Sequence, residues 1–129
     1  MLTVAGSVRI FVCTQPADMR RSFDGLGGMA ENLMQQDPLS GHLFLFRNRN
    51  RDRLKILYWD RDGLAIWYKR LESGTWQFPT DVKPVRCDEA GDAPAAVEIT
   101  SEELSLLLGG IDLRSVERRR RYQRPNKPR

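Results

Sequence analysis

The amino-acid sequence predicts an α+β fold, in which a mostly antiparallel β-meander of four to five strands packs against one long helix, with a short C-terminal helix beyond. Two observations carry this prediction. Residues 41–71 contain three apolar, aromatic-rich runs separated by short polar connections, and short connections make neighbouring strands antiparallel. Residues 19–36 instead repeat apolar side chains every three or four positions, which is the spacing of an amphipathic helix.

The first part of the chain is predicted to hold one strand followed by the long helix. Residues 8–13 (VRIFVC) are β-branched and aromatic, and Pro16 ends this strand because proline cannot donate to a ladder. Asp18 is placed to cap or open a helix over residues 19–36. Three glycines within residues 25–28 weaken this helix by about 1 kcal/mol each relative to alanine. We therefore expect close packing against the sheet there, or a break near the first glycine.

The central meander is predicted from four apolar runs, at residues 42–46, 53–60, 64–71 and 75–78. Gly63 is expected to supply the positive φ that a tight hairpin turn needs. Apolar side chains fall on both faces of the second run, so the sheet needs cover on both faces, from a helix or from a partner. Trp59, at the end of that run, is predicted to belong to the core.

The C-terminal part is predicted to contain a loop, an edge strand and a short helix. Residues 80–96 are rich in acidic residues, Pro and Gly, which is typical of a mobile loop, and residues 97–99 then add a short strand. Thr100 and Glu103 match a capping box, in which each side chain accepts a hydrogen bond from the backbone N–H of the other residue. The helix that follows presents its apolar face through Leu104, Leu107 and Leu108.

Length, composition and cysteine content place the chain in a broad class. A chain of 129 residues with 40% apolar residues suits one folded domain, predicted over residues 1–113 and followed by a basic, disordered tail at 114–129. No apolar run is long enough to span a membrane, and the N-terminus lacks the features of a secretory signal. Cys13 and Cys87 have no metal-binding spacing, so we expect two reduced thiols in a cytoplasmic protein without a cofactor or metal.

Charge is distributed unevenly between these two parts. Residues 1–113 hold 13 Lys and Arg against 16 Asp and Glu, whereas residues 114–129 hold 8 Lys and Arg against one Glu. A cationic arm on a mildly acidic body is typical of a segment that binds a polyanion. A tail that only improves solubility is the alternative. The arginines predicted to contact nucleic acid in this tail are Arg118, Arg119, Arg120, Arg121 and Arg124.

A second basic cluster lies at the predicted hairpin tip between the first two meander strands. Every second residue of an extended strand points the same way. Alternating arginines could therefore line up as a phosphate track, with the intervening asparagines free to contact base edges. A solvated tip that binds nothing is the alternative. The four alternating arginines are Arg47, Arg49, Arg51 and Arg53.

Arg20 and Arg21, at the start of the predicted long helix, are additional candidates for phosphate contacts. Cations are unfavourable at the positive end of a helix dipole. Their presence is therefore unusual unless they bind a ligand or pair with Asp18 or Asp24.

Carboxylates suggest a different function, a metal-dependent nuclease. Several converging aspartates could hold Mg²⁺ for such chemistry. The candidates also suit helix ends and hairpin turns, where Asp makes local hydrogen bonds, so we treat this function as an alternative only. These residues are Asp18, Asp24, Asp60, Asp62 and Asp112.

Several sequence blocks occur together in a recognisable order. They include DMRRSFDGL at 18–26, DPLSGHLF at 37–44, LKILYWD at 54–60 and GID at 110–112. With these blocks the chain resembles the accessory proteins of the insertion sequence 66 family, usually called TnpB, over nearly its whole length. The resemblance implies a small protein encoded beside a separate, larger transposase of a bacterial mobile element and needed for efficient transposition. It also implies that the transposase carries the catalytic acidic residues, and it supplies no catalytic residue for this chain.

The predicted function is therefore a non-catalytic accessory of transposition. We expect it to bind DNA electrostatically, at element ends or without sequence preference, and to contact the transposase or a second copy of itself. A pure protein–protein adaptor is the main alternative. In that case the two-sided apolar sheet meets a partner and the tail only solubilises the protein.

Overall fold

The computed structural model describes residues 7–78 and 94–109, together with the backbone of residues 111–112 and 117–118. Its centre is one five-stranded sheet with the strand order β4-β3-β2-β1-β5. In chain order the strands are β1 (Ile10–Cys13), β2 (Leu43–Arg47), β3 (Arg53–Asp60), β4 (Gly63–Arg70) and β5 (Ala96–Ile99). The α+β class and the antiparallel β2-β3-β4 meander predicted from the sequence are confirmed.

The sheet is mixed, because β1 and β2 are parallel while the other neighbouring strands are antiparallel. A helical connection between β1 and β2 carries the chain back to the starting end of the sheet, as parallel neighbours require. The predicted edge strand at 97–99 is confirmed as β5, which pairs with β1 and so places β1 inside the sheet. The parallel pairing of β1 with β2 could not be predicted from the short connections of the meander, which concern only β2, β3 and β4.

The helix after β1 is shorter than predicted. It runs from Phe23 to Gly28 as an α-helix (α1) and continues from Met29 to Leu33 as a π-helical turn, instead of covering residues 19–36. The predicted first turn is held away from helical geometry because its carbonyl groups accept hydrogen bonds from a lysine of β3. At the other end the chain leaves the helix at Gln35, where φ is 59°.

The glycines of α1 do not break the helix. A Cβ atom at Gly25 would lie 3.1 Å from the Cβ atom of Arg21, so the close approach is to the preceding loop and not to the sheet. Gly27 is buried beside Pro38, whose Cβ atom would lie 3.9 Å from an added Cβ.

Both apolar faces of the sheet are covered by other parts of the same chain. On one face, α1 and the π-helical turn contribute buried Leu26 and Ala30. The opposite face is covered by a second helix, α2 (Ser101–Gly109), through Leu104 and Leu107. The expected need for cover on both faces is therefore met within the chain.

The segment at 75–78 is not the predicted fourth meander strand. It crosses the α2 face of the sheet, where Trp76 and Phe78 are both 0% exposed. Trp59, which was predicted to belong to the core, is only half-buried at the end of β3. The large core indole is thus supplied by Trp76, because a chain that crosses the sheet can direct bulky side chains into its face.

The β3–β4 turn also differs from the prediction in one torsion angle. Asp60 pairs with Gly63, which leaves Arg61 and Asp62 as the loop. The positive φ, 56°, belongs to Arg61, because Gly63 already lies in β4.

Some predicted regions lie partly or wholly outside the described residues. The loop expected at 80–96 is described only from residue 94, and Ala96 already belongs to β5. Within the predicted tail, the backbone of Glu117–Arg118 (β7) pairs with Ile111–Asp112 (β6). The rest of the tail lies outside the described residues.

Candidate nucleic-acid interface

A shallow groove of about 420 Å³ lies between the β1–α1 loop and the tip of the β2–β3 hairpin. We call it the arginine groove. The loop contributes Ala17, Asp18, Met19 and Arg20, and the hairpin contributes Asn48, Arg49, Asn50 and Arg53. The groove therefore joins parts of the two basic clusters that the sequence predicted separately.

The hairpin tip is a tight turn, so the four predicted arginines do not form one extended row. The side-chain oxygen of Asn48 accepts hydrogen bonds from the N–H groups of Asp52 (3.1 Å) and Arg53 (3.0 Å). The Asn48 amide also donates to the Asp52 carboxylate at 2.5 Å. Arg51 takes the left-handed conformation with φ of 58°. The turn places Arg49 and Arg53, but not Arg51, along the groove.

Arg47 is buried, with 8% of its surface exposed, and it anchors the loop behind the groove. Its guanidinium donates to the carbonyl oxygens of Thr14 (3.1 Å) and Asn48 (3.3 Å). Its own carbonyl accepts a 2.7 Å hydrogen bond from the N–H of Ala17. Arg47 therefore joins the loop to the hairpin beneath the groove and does not line it.

Lys55 anchors the same loop from β3. Its ammonium donates 2.8 Å hydrogen bonds to the carbonyl oxygens of Met19 and Arg21, and it lies 4.7 Å from the centre of the Tyr68 ring. Only 7% of the residue is exposed. Burial lowers the pKa of Lys55, while the nearby Asp18 carboxylate acts in the opposite direction.

Arg20 is held in the groove by its neighbour Asp18. The guanidinium donates 3.1 Å and 2.7 Å hydrogen bonds to the carboxylate, and the Arg20 backbone N–H donates a further one at 2.9 Å. The side-chain hydrogen bond, followed by the backbone one, lowers the pKa of Asp18 from 3.8 to about 2. The Arg20 side chain is nevertheless 91% exposed. Arg21 is also exposed, but it does not line the groove.

The lining of the groove carries three arginines and one aspartate. A groove with excess guanidinium groups favours an anion, and guanidinium geometry matches phosphate oxygens. Arg53 also lies directly opposite Arg70 in the β3–β4 ladder, and like charges so placed are unfavourable without a counter-charge. Glu72, through a salt bridge to Arg70, and Asp52 supply counter-charge at this end of the ladder.

The other predicted arginines cannot be placed with the groove. The backbone of Arg118 belongs to β7, but its side chain is not among those that the structure describes. The remaining tail candidates, Arg119, Arg120, Arg121 and Arg124, lie wholly outside the described residues.

The acidic candidates do not come together within the described part of the chain. There, no group of three His, Cys, Asp or Glu side chains is placed to hold a metal ion. Asp18 pairs with Arg20, and Asp60 and Asp62 flank the β3–β4 turn. Cys13 is a free, buried thiol, and burial raises its pKa. No helix among the described residues has both the length and the apolarity to cross a bilayer.

Sequence reasoning missed the two residues that shape the groove, Lys55 and Asn48. A cation inside the most apolar run of the chain was the available signal for Lys55, because a buried charge requires hydrogen-bonding partners. Asn48 was interpreted only as a possible base contact. Its position at a turn was the relevant signal, since Asn side chains there commonly bond to nearby backbone groups.

Comparison with known proteins identifies the family. The sequence model of the family described as "IS66 Orf2 like protein" matches residues 8–118. "Uncharacterized protein y4jC" of Sinorhizobium fredii (strain NBRC 101917 / NGR234) is 37% identical over 127 residues, covering 98% of both chains. "Uncharacterized protein y4hO" of the same strain is 34% identical over 114 residues, covering 88% of this chain and 90% of that protein. No solved structure matches significantly. The chain belongs to the IS66 Orf2-like family, the TnpB accessory proteins of insertion sequences.

Proposed function

We propose that this accessory protein contacts the phosphate backbone of DNA, using the arginine groove together with the C-terminal tail. The proposed role includes no catalytic step of its own. The observation that carries the proposal is the composition of the groove, where Arg20, Arg49 and Arg53 face a single carboxylate. Neutralising phosphates with arginines releases condensed counterions, which supplies affinity without reading the sequence.

The groove supports positioning on DNA more than recognition of a sequence. Contacts to phosphate fix the orientation of a protein on the duplex, while base edges carry the sequence information. Asn50 is the exposed groove residue whose amide could contact a base edge. Asn48 is committed to the turn through its bonds to Asp52 and Arg53. We therefore expect modest sequence preference from this chain alone.

In the proposed role the protein places element DNA for the separate transposase, which carries out strand transfer. The adaptor alternative relied on an apolar sheet face that would need a partner. Helices α1 and α2 and the segment at 71–78 pack on the two faces, so the faces of the sheet no longer give a reason to expect a partner.

Fluorescence anisotropy with a labelled duplex tests the proposal. The full chain should bind DNA, and the double variant Arg49→Gln/Arg53→Gln should bind several-fold more weakly at the same salt concentration. The matched control is Arg61→Asn, which removes one arginine at the opposite end of β3, about 24 Å away at 3.4 Å per residue. Asparagine also tolerates the left-handed φ of this position.

Two results would contradict the proposal. One is a full chain with no measurable affinity for DNA at low salt, which would favour the protein–protein adaptor function instead. The other is the same loss of affinity per removed arginine in the groove variant, which lacks two, and in the control, which lacks one. That result would mean that only overall charge matters.

A further inference from the structure

Strand β4 has a free outer edge in the part of the chain that the structure describes. It is eight residues long and pairs only with β3 there. An edge strand of this length presents a row of backbone donors and acceptors, which native proteins either protect or use for pairing. Pairing along this edge does not require the arginine groove to bind DNA.

The ladder shows which β4 residues present their backbone groups to this edge. The N–H of Leu71 donates a 2.7 Å hydrogen bond to the carbonyl oxygen of Asp52. Residues of an antiparallel strand alternate between bonding to their neighbour and pointing away from it. Position 71 bonds to β3, and so the odd-numbered residues of β4 do the same. The outward residues are therefore Leu64, Ile66, Tyr68 and Arg70.

The middle of β4 has no charge that would discourage pairing. Residues 64–68 (LAIWY) are all uncharged, and an exposed run of this kind is an aggregation hazard unless something covers it. Tyr68 is 48% exposed, and Leu64 and Ile66 are only half-buried. Natural edge strands usually carry Lys, Pro or a bulge at such positions, and this one carries none of them between Leu64 and Tyr68.

The two ends of β4 carry opposite charges. Asp62 immediately precedes the strand, and Arg70 ends it. An antiparallel copy of the same strand would bring the acidic end of each chain beside the basic end of the other. When Ile66 lies opposite its own copy, Asp62 lies opposite Arg70 of the second copy, and Leu64 lies opposite Tyr68. This register pairs outward-pointing residues with each other, as a ladder requires.

We propose that a second copy of this chain pairs with β4 in this antiparallel register, so that the two five-stranded sheets join into one continuous sheet. Two-fold symmetry makes the interface self-complementary, because each contact occurs twice. A second copy fits better than an unrelated strand because Asp62, just before β4, and Arg70, at its end, meet twice in this register. Within one chain Arg70 pairs with Glu72, but both side chains are about half exposed. Such a pair contributes little to stability, so Arg70 is able to pair with Asp62 of the second copy instead.

Charge reversal in the full chain provides the test. Asp62→Arg and Arg70→Asp should each weaken self-association about tenfold or more, because two attractive contacts per dimer become repulsive. An equal mixture of the two variants should restore association, since each charge at positions 62 and 70 then faces an opposite one in the mixed dimer. The measurement is sedimentation equilibrium, from roughly 1 μM to 1 mM, against the chain mass of 14.9 kDa. Glu31→Arg, on the exposed side of the π-helical turn, is the control with the same net charge as Asp62→Arg.

Amide hydrogen exchange of the unmodified protein gives an independent readout. The amides of Leu64, Ile66 and Tyr68 should become protected as concentration rises, whereas those of Ala65 and Trp67 should be protected throughout.

Three outcomes would overturn the proposal: a monomer at every concentration, association that the charge variants leave unchanged, or variants that fail to restore association when mixed. Outward amides that are already protected in a monomer would show that another segment of the same chain covers β4, and would also overturn it.

Discussion

The buried ammonium of Lys55 donates a 2.8 Å hydrogen bond to the carbonyl oxygen of Arg21. This bond, with its counterpart to Met19, holds the loop before α1 against β3 and delays the start of the helix. The same loop carries Arg20 into the arginine groove. A core residue thus determines where a surface cation lies, and this connection links the stability of the fold to the proposed function.

Replacing Lys55 by Met should therefore affect both stability and DNA binding. The methionine fills a similar volume but leaves two partly buried carbonyl groups without their donor, and each such group costs up to about 1–3 kcal/mol. Part of this is offset because a buried charge is also removed, so we expect a net loss of about 1–3 kcal/mol in the free energy of unfolding. Chemical denaturation measures it, and anisotropy should show weaker DNA binding.

The control for this variant is Lys69→Met on β4, where the lysine is exposed. It should change the free energy of unfolding by less than about 1 kcal/mol, because it loses only the contact of the ammonium with the Trp76 ring, 5.9 Å away. Equal effects of the two substitutions would show that the Lys55 hydrogen bonds do not hold the loop.

Asp18 should titrate with a pKa of about 2, below its ordinary value of 3.8. The folded state then binds this proton less tightly than the unfolded state does, so Asp18 contributes stability above pH 4 that is lost as the pH falls towards 2. Carbon-detected NMR titration measures the pKa, and Arg20→Gln should raise it towards 3.8. An unchanged pKa in that variant would show that Arg20 is not the main cause.

The sequence predicted the elements whose signals are local. The meander and the Thr100 capping box follow from turns, alternation and spacing within a few residues. The parallel pairing of β1 with β2 and the late start of α1 depend on contacts between residues more than 30 positions apart. No local pattern encodes such contacts, and so these features were missed.

For the candidate site too, local signals suggested individual residues, while their arrangement depended on the fold. Arg20 was proposed from its place at a predicted helix start and Arg49 from its alternation with other arginines at a hairpin tip, but their meeting in one groove required the fold. Arg47 has the same sequence context as Arg49, and yet it is buried because β2 continues through it while the turn begins after it. Strand alternation alone could not distinguish these two residues.

The two tryptophans at positions 59 and 76 should differ in their contribution to stability. Trp76 is 0% exposed and packs edge-to-face on Trp67 with ring centres 6.5 Å apart. Trp76→Ala should therefore cost about 3–5 kcal/mol in the free energy of unfolding. Trp59→Ala should cost clearly less, because Trp59 is half-buried. Thermal or chemical denaturation would contradict this assignment if the order of the two losses were reversed.

The capping box at the start of α2 should be measurable on its own. Thr100 Oγ1 accepts from the N–H of Glu103, and Glu103 Oε1 accepts from the N–H of Thr100, both at 3.1 Å. Thr100→Ala should cost about 1 kcal/mol, whereas Thr100→Ser should be nearly neutral because its hydroxyl still caps. If the two variants are equally stable, the side-chain hydrogen bond contributes nothing measurable.

The salt dependence of DNA binding tests the arginine groove most directly. The slope of log K against log salt concentration falls by about 0.9 for each phosphate contact that is lost. For the full chain we predict that Arg49→Gln/Arg53→Gln reduces the magnitude of this slope by about 2, while Arg61→Asn leaves it unchanged. A slope that is the same in the wild type and the double variant would contradict the account, because it would mean that neither groove arginine contacts phosphate.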